Sequence, residues 1–349
     1  MNLDLAVIGA GPAGSTAAAV AARSGMRVAI FERGSLPHDR VCGEFVSAEG
    51  LSVLEELAPA LLAEAPEIRA ACFVDARGRS RRFPLPRPAR GLSRLALDAA
   101  LWECAGASGA ELRPRSTIAG RERQGEIWRL QVAGGEALTA MHVLDATGRC
   151  GTRSPWVGVK ARFEGLGIGS AVEMHLFPGG YCGLAPVERG WVNVCALIHK
   201  RQAGDLASAS DFAGWVRGRS GSASLSERLR GARQATPTVV TAQVSFGPQA
   251  AMRNGALAAG DAAGFLDPFA GDGLARAMLS GQLAANLLAQ GRPHAYAQAL
   301  ARAADLGFAA AVPLRALVRA PQALQSFAAW LLARPALGPR LVTATRWRP

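Results

Sequence analysis

Gly9, Gly11 and Gly14, spaced as GxGxxG in the stretch GAGPAG, are the first residues whose types and spacing imply chemistry. Gly9 permits a tight turn, Gly11 lets the main chain approach a pyrophosphate, and Gly14 allows close helix packing, with Ala13 inside the same turn. Amides without partners at the start of the following helix, and its positive end, would face the phosphates. Glu32 closes the next apolar run, where a carboxylate can accept the hydroxyl hydrogens of an adenosine ribose and would repel a phosphate there. Arg33 beside it and Arg40 in the loop beyond add positive charge toward the same ligand. The implied chemistry is dinucleotide binding. The turn alone does not separate tightly held FAD from exchangeable NAD.

A second group, Arg40-Val41-Cys42-Gly43-Glu44, gathers a cation, a thiol and a carboxylate around a glycine that permits an unusual backbone angle. The set suits an active-site rim, with Cys42 touching substrate or exchanging electrons and Glu44 organising a proton path; a purely structural loop would also use it. Asp145-Ala146-Thr147-Gly148 closes a later apolar run, and Gly260-Asp261 closes another. The stretch that follows, containing Pro268, Gly271 and Gly273, leads into a small-residue helix. Amides at Gly271, Asp272 and Gly273 could there stabilise the oxygen of an electron-rich flavin ring. Arg94, at the start of another helical stretch, could reach a phosphate.

The elements that must hold these residues follow from periodicity. Residues 3–8 and 27–31 read as buried parallel strands around a small-residue helix over 13–23, a βαβ unit. Residues 51–62 and 93–104 have helical spacing. Residues 68–75 and 79–85 read as short strands that Pro84, Pro86 and Pro88 should stop. Residues 111–120 and 126–132 can pair, and 138–144 returns to the first sheet. Strand-like stretches at 168–176, 190–198 and 238–245 suggest an inserted mixed or antiparallel sheet. Residues 323–332 could form an amphipathic helix carrying Trp330.

A chain of 349 residues, half of them apolar, can bury the core of two domains or of one elaborated domain. It has no long uninterrupted apolar span and begins with a strand rather than a basic leader, so a soluble cytoplasmic enzyme is the expectation. Cys42, Cys72, Cys104, Cys150, Cys182 and Cys195 form no CxxC pair, and no HExxH occurs, so reduced thiols and no metal are expected. The net charge of +12 comes almost wholly from arginine, since Lys160 and Lys200 are the only lysines. The arginines are scattered, without a basic tail interleaved with aromatics, which argues against a nucleic-acid partner. An anionic cofactor, an acidic substrate or peripheral contact with an acidic membrane would fit that charge.

The turn at 9–14, Glu32, the CGE loop at 42–44, the DATG at 145–148 and GDAAGFLDPFAGDG at 260–273 occur in one order. Together they resemble the geranylgeranyl reductase branch of flavoproteins, within the group sharing the para-hydroxybenzoate hydroxylase fold, over most of the chain. The resemblance implies an α/β protein: a Rossmann-like FAD-binding domain, an inserted mixed or antiparallel-sheet substrate domain, and C-terminal helices. Its expected segments are 1–66, 89–157 and 252–310 for FAD, 67–88 and 158–251 for substrate, and a helical tail at 311–349. It implies that Gly9, Gly11 and Gly14 hold the pyrophosphate, Glu32 the ribose, Arg94 the phosphates and Asp261 the ribityl region. Pro268, Gly271 and Gly273 would surround the isoalloxazine, with Cys42 and Glu44 close to that ring.

Such a protein is expected to be an FAD-dependent oxidoreductase acting on a hydrophobic small molecule. Reduction of an isoprenoid or lipid-like polyketide alkene is the first expectation, and hydroxylation of an aromatic or polyketide substrate is the alternative. A non-enzymatic electron-transfer or regulatory flavoprotein stands behind both. NAD(P)H could serve as a transient reductant, or a separate electron donor could act. The segment Tyr181 to Pro186, YCGLAP, departs from the aromatic-rich segment of many prenyl-reducing relatives. Halogenation is disfavoured because no lysine lies near 42–44 in the chain and WxWxIP is absent.

Overall fold

Strands with one buried apolar face and helices rich in alanine sort the chain into two main sheets. The computed structural model describes residues 2–75, 77–149, 154–204, 212–219, 222–242, 244, 246–319, 324, 330, 334 and 337–348. In chain order, β1 (Asn2–Ile8), α1 (Pro12–Arg23) and β2 (Val28–Phe31) lead to β3 (Phe45–Val46), α2 (Ala48–Leu57) and α3 (Pro59–Glu64). Next come β4 (Glu67–Val74), β5 (Ser80–Gly91), α4 (Arg94–Ala107), β6 (Glu111–Arg113), β7 (Ile118–Gln124), β8 (Ile127–Val132) and β9 (Ala137–Asp145). The middle of the chain holds β10 (Trp156–Glu164), β11 (Ala171–Phe177), β12 (Gly180–Pro186), β13 (Val192–His199), α5 (Lys200–Ala203), α6 (Phe212–Arg219), α7 (Ala223–Arg228), β14 (Arg233–Gln234) and β15 (Val239–Thr241). It ends with β16 (Gly247–Pro248), β17 (Met252–Arg253), β18 (Ala256–Ala258), β19 (Gly264–Phe265), α8 (Gly273–Ala289), α9 (Tyr296–Arg319) and α10 (Gly338–Thr345).

The first sheet runs β17-β18-β9-β1-β2-β6, with the β7–β8 hairpin joined to β9. Its central pairs are parallel, β1 lying between β2 and β9, so the turn after β1 opens beside the ends of two neighbouring strands. Pro12 starts α1 where its missing N–H costs nothing, and the helix is buried from Pro12 to Ala21. Only small residues allow its contact with α8: a Cβ at Gly281 would stand 2.1 Å from the Ala13 carbonyl oxygen. The second sheet runs β14-β10-β13-β12-β11-β4-β5-β3, with β15 also on β10. It is mixed, as expected, because β11 and β4 are parallel while its other pairs are antiparallel.

Four readings of the sequence change here. Strand β5 continues through Pro84, Pro86 and Pro88 to Gly91, because these prolines occupy exposed positions around the bulge in its pairing with β4. Strand β10 was not anticipated; every residue from Trp156 to Phe163 is buried, and Lys160 and Arg162 interrupt the apolar pattern by which a strand is recognised. Strand β3, inside the segment assigned to FAD, pairs with β5 of the second sheet. Helix α9 crosses the expected boundary at residue 310 without a break. The expected helix at 323–332 lies outside the described residues except Leu324 and Trp330. Among the described residues, no helix is long and apolar enough to cross a membrane.

Candidate functional site

The turn after β1 is shaped by main-chain contacts. Gly9 has φ +101°, and a Cβ there would lie 2.4 Å from the Ala146 carbonyl oxygen, so the turn rests directly on the DATG stretch. A Cβ at Gly14 would lie 1.9 Å from the Gly9 oxygen. Gly11 is the opposite case: its missing Cβ would meet only an Arg94 guanidinium nitrogen, 3.8 Å away, so its main chain borders open space beside a cation. The side chain of Ala13 faces Gly260 and α8, leaving only its main chain for a cofactor.

Glu32 is buried and accepts from the amides of Ala10 and Gly34, both at 3.0 Å. It thereby ties the end of β2 to the turn. Arg94 is held by Asp98 at 2.9 and 2.7 Å. Burial opposes the charge of Arg94, and Asp98 more than offsets it, so the guanidinium stays ionised. Arg40 is half-buried; burial, then the neighbouring Arg94, lowers its pKa. Arg33 is exposed. A cradle open at Gly11, flanked by Arg94 and Arg40 and backed by Glu32, fits the pyrophosphate and ribose of FAD.

The CGE loop lies against the second sheet. Glu44 has φ +55° and a fully buried side chain. Its Oε1 accepts from the Arg94 amide and Lys160 Nζ, both at 2.7 Å, and from Arg162; its Oε2 accepts from Arg162 Nε at 2.9 Å. Asp39 completes the cluster, accepting from Lys160 and from Arg162 NH1 at 2.8 Å. Burial raises the Asp39 carboxyl, but Lys160 and Arg162 override it and hold it below the usual range. Glu44, Asp39, Lys160 and Arg162 form a clasp of two anions and two cations. With both oxygens engaged by cations and none exposed, Glu44 positions the loop.

Lys160 and Arg162 reach this clasp from the inward face of β10, while Val157, Val159, Ala161 and Phe163 point into the opposite core. Sequence reasoning missed both, along with Asp39. The available signal was two long cations two residues apart in an otherwise apolar run. Cys42 is half-buried, and its carbonyl accepts from Asn193 Nδ2 at 3.0 Å. Burial pushes its thiol pKa up, with Arg94 pulling against it, so the group is a thiol at neutral pH.

The GD motif and the loop after it complete the site. Asp261 pairs with Arg149 Nε at 3.3 Å; burial raises its carboxyl, and Arg149 and then Arg94 draw it back. Arg149, also missed, donates to the Val41 carbonyl at 3.2 Å and lies over Phe265, linking the GD motif to the CGE loop. Pro268 is exposed and opens a short turn that Asp267 caps through the Phe269 amide at 3.1 Å. Gly271 adopts φ +65° against Phe45. Its amide already donates to the Pro268 carbonyl at 3.0 Å, so of the three expected flavin-facing amides, those of Asp272 and Gly273 remain. Gly273 is exposed at the first position of α8.

Beside this loop, the inward face of the second sheet is apolar and aromatic. Phe73 stacks on Phe269 at 5.4 Å, Tyr181 meets Phe269 edge-on at 5.2 Å, and Trp156, Leu197 and Phe265 belong to the same cluster. A small cavity between Phe73, Phe83, Phe269 and Leu341 opens into the cluster. Among the described residues, no group of His, Cys, Asp and Glu is arranged to hold a metal.

A family model described as an NAD(P)-binding Rossmann-like domain matches residues 7–48. Across 99% of this chain and 93% of its own, the structure of a flavin-dependent brominase superposes with TM-score 0.80 at 19% identity. The chain has the fold of FAD-binding flavoproteins. Its two-domain fold is shared with a geranylgeranyl reductase-like protein and with flavin halogenases. A geranylgeranyl bacteriochlorophyll reductase-like protein of Thermoplasma acidophilum superposes with TM-score 0.79 at 17% identity, covering 99% of this chain and 95% of its own. A digeranylgeranylglycerophospholipid reductase of Methanopyrus kandleri is 27% identical over 83% of this chain and 78% of its own.

Proposed function

We propose that this flavoprotein oxygenates a hydrophobic aromatic or polyketide substrate, using reduced FAD and molecular oxygen. The observation that carries this reading is the aromatic wall of Phe73, Phe269 and Tyr181 beside the flavin loop. A face built of packed rings offers flat apolar contact that suits a ring-shaped substrate better than a flexible chain. Alkene reduction, the first expectation from sequence, also needs a proton on the second carbon from solvent or a protein acid, and Glu44, the acid expected there, is engaged by Lys160, Arg162 and the Arg94 amide. The brominase similarity supports oxidative chemistry on such substrates; the reductase relatives support the second reading, reduction of a prenyl chain.

FAD, when bound, supplies two-electron transfer between a reductant and oxygen. Within the protein, Gly11, Arg94 and Glu32 would bind its phosphates and ribose, and the CGE loop would fix the ring side. The aromatic face would hold substrate and exclude water. In the balanced reaction, substrate C–H becomes C–OH, the other oxygen atom leaves as water, and the two flavin electrons are consumed.

The test is a single turnover. FAD-loaded protein reduced with dithionite under nitrogen is mixed with oxygenated buffer containing an alkylphenol, with and without bromide, and separately with a polyprenyl alcohol. Gain of one oxygen by the phenol is expected. Gain of two hydrogens by the polyprenyl alcohol, with no phenol product, would replace the proposal with reduction, and bromine incorporation would replace it with halogenation.

A further inference from the structure

The last described turn of the chain grips the flavin loop from behind. Arg346 is buried, and its NH1 donates to the carbonyls of Ala270 at 3.2 Å and Gly271 at 3.0 Å and to Asp272 Oδ1 at 3.2 Å. The Trp347 amide donates to Asp272 Oδ2 at 3.1 Å, and Ser47 Oγ donates to Oδ1 at 3.0 Å. The guanidinium also lies over Phe45, the ring against which Gly271 packs. Buried Asp272 is thus held from the tail and from the start of α2. Burial raises its carboxyl, and Arg346, then Arg276, pulls it back.

These contacts set the direction of an amide. In a trans peptide the C=O and N–H point opposite ways. Arg346 holds the Gly271 carbonyl, so the Asp272 N–H of that peptide points away from the tail. The next amide, Gly273, opens α8 and belongs to the first-turn groups that a helix leaves without an internal partner. We propose that Arg346 is a positioning residue that aims the Asp272 and Gly273 amides at the developing negative charge of reduced FAD, so that the C-terminal tail tunes the flavin potential.

This rests on FAD binding and not on the identity of the substrate. Failure of FAD binding would appear as protein that does not retain flavin. Failure of the inference would appear as flavin-loaded protein with an unchanged potential.

The experiment measures the midpoint potential of bound FAD by anaerobic dye equilibration in the wild type and in Arg346→Gln, Arg346→Lys and Arg348→Ala. Arg346→Gln can donate to one carbonyl but loses the charge and the donation that NH1 shares among Ala270, Gly271 and Asp272. It should weaken binding of reduced relative to oxidised FAD about tenfold, a fall of about 30 mV for two electrons. Arg346→Lys should fall by less, and Arg348→Ala, which removes a nearby charge whose side chain does not grip the loop, should not move. An unchanged potential in Arg346→Gln, or equal shifts in Arg346→Gln and Arg348→Ala, would overturn the proposal. Should Arg346→Gln lose flavin, Arg346→Lys decides: a native potential there overturns it, and a lowered one supports it.

Discussion

The phosphate turn and the CGE loop flank the same site but are built in opposite ways. The turn from Gly9 to Gly14 is made of main chain, its shape set by the missing side chains of Gly9 and Gly14, while Gly11 borders open space. The CGE loop is made of side-chain charge: Asp39 and Glu44 are held by Lys160 and Arg162, which arrive from β10 more than a hundred residues later. A local turn needs the right residues in sequence. A charge clasp needs β10 already packed against the loop, and it costs desolvation of four groups that mutual pairing must offset.

The contrast is tested most severely by Arg162→Met. Removing one cation leaves Asp39 and Glu44 sharing Lys160 in a buried site, and the flavin-free protein should lose about 3–5 kcal/mol of unfolding free energy in denaturant titration. A loss within experimental error would mean that the loop is not held by charge.

Gly11→Leu probes the other side. Its side chain would enter open space beside Arg94 rather than protein, so the apo-protein melting temperature should stay at the wild-type value. FAD affinity measured by fluorescence quenching should fall about a hundredfold, about 2.7 kcal/mol. Equal melting and binding losses would make the turn a folding element like the clasp.

A smaller effect separates the clasp from ordinary ion pairing on the same sheet. Glu173 on β11 is held by Arg228 at 2.7 Å and by His175 at 3.1 Å. Burial opposes its charge, yet His175 and Arg228 lower its pKa from 4.5 to about 2. A depressed carboxyl contributes stability above pH 4.5 and loses it as pH falls toward 2. Glu173→Gln should remove that acid slope and cost about 1 kcal/mol at neutral pH, because the pair is partly screened. A loss matching that of Arg162→Met would mean that burial of the clasp adds nothing special.

The sequence by itself determined the βαβ unit and the glycine-rich turn that leads into α8. These are encoded by nearest neighbours: glycine spacing, apolar runs ending in an acid, and small residues along α1 and α8. It also pointed to the CGE loop but left Glu44 between a proton path and a structural role, because a carboxylate beside a thiol looks the same whether its partners are substrate or distant cations. Only the tertiary structure shows the partners of Glu44. Lys160, Arg162 and Arg149 become neighbours of residues 39–44 through β10 packing and the DATG turn, and Arg346 reaches the flavin loop through the fold of the tail. Long side chains carry no local period that marks their destination. Where they point depends on which face of a strand is turned inward, and that is settled by the burial of its opposite, apolar face.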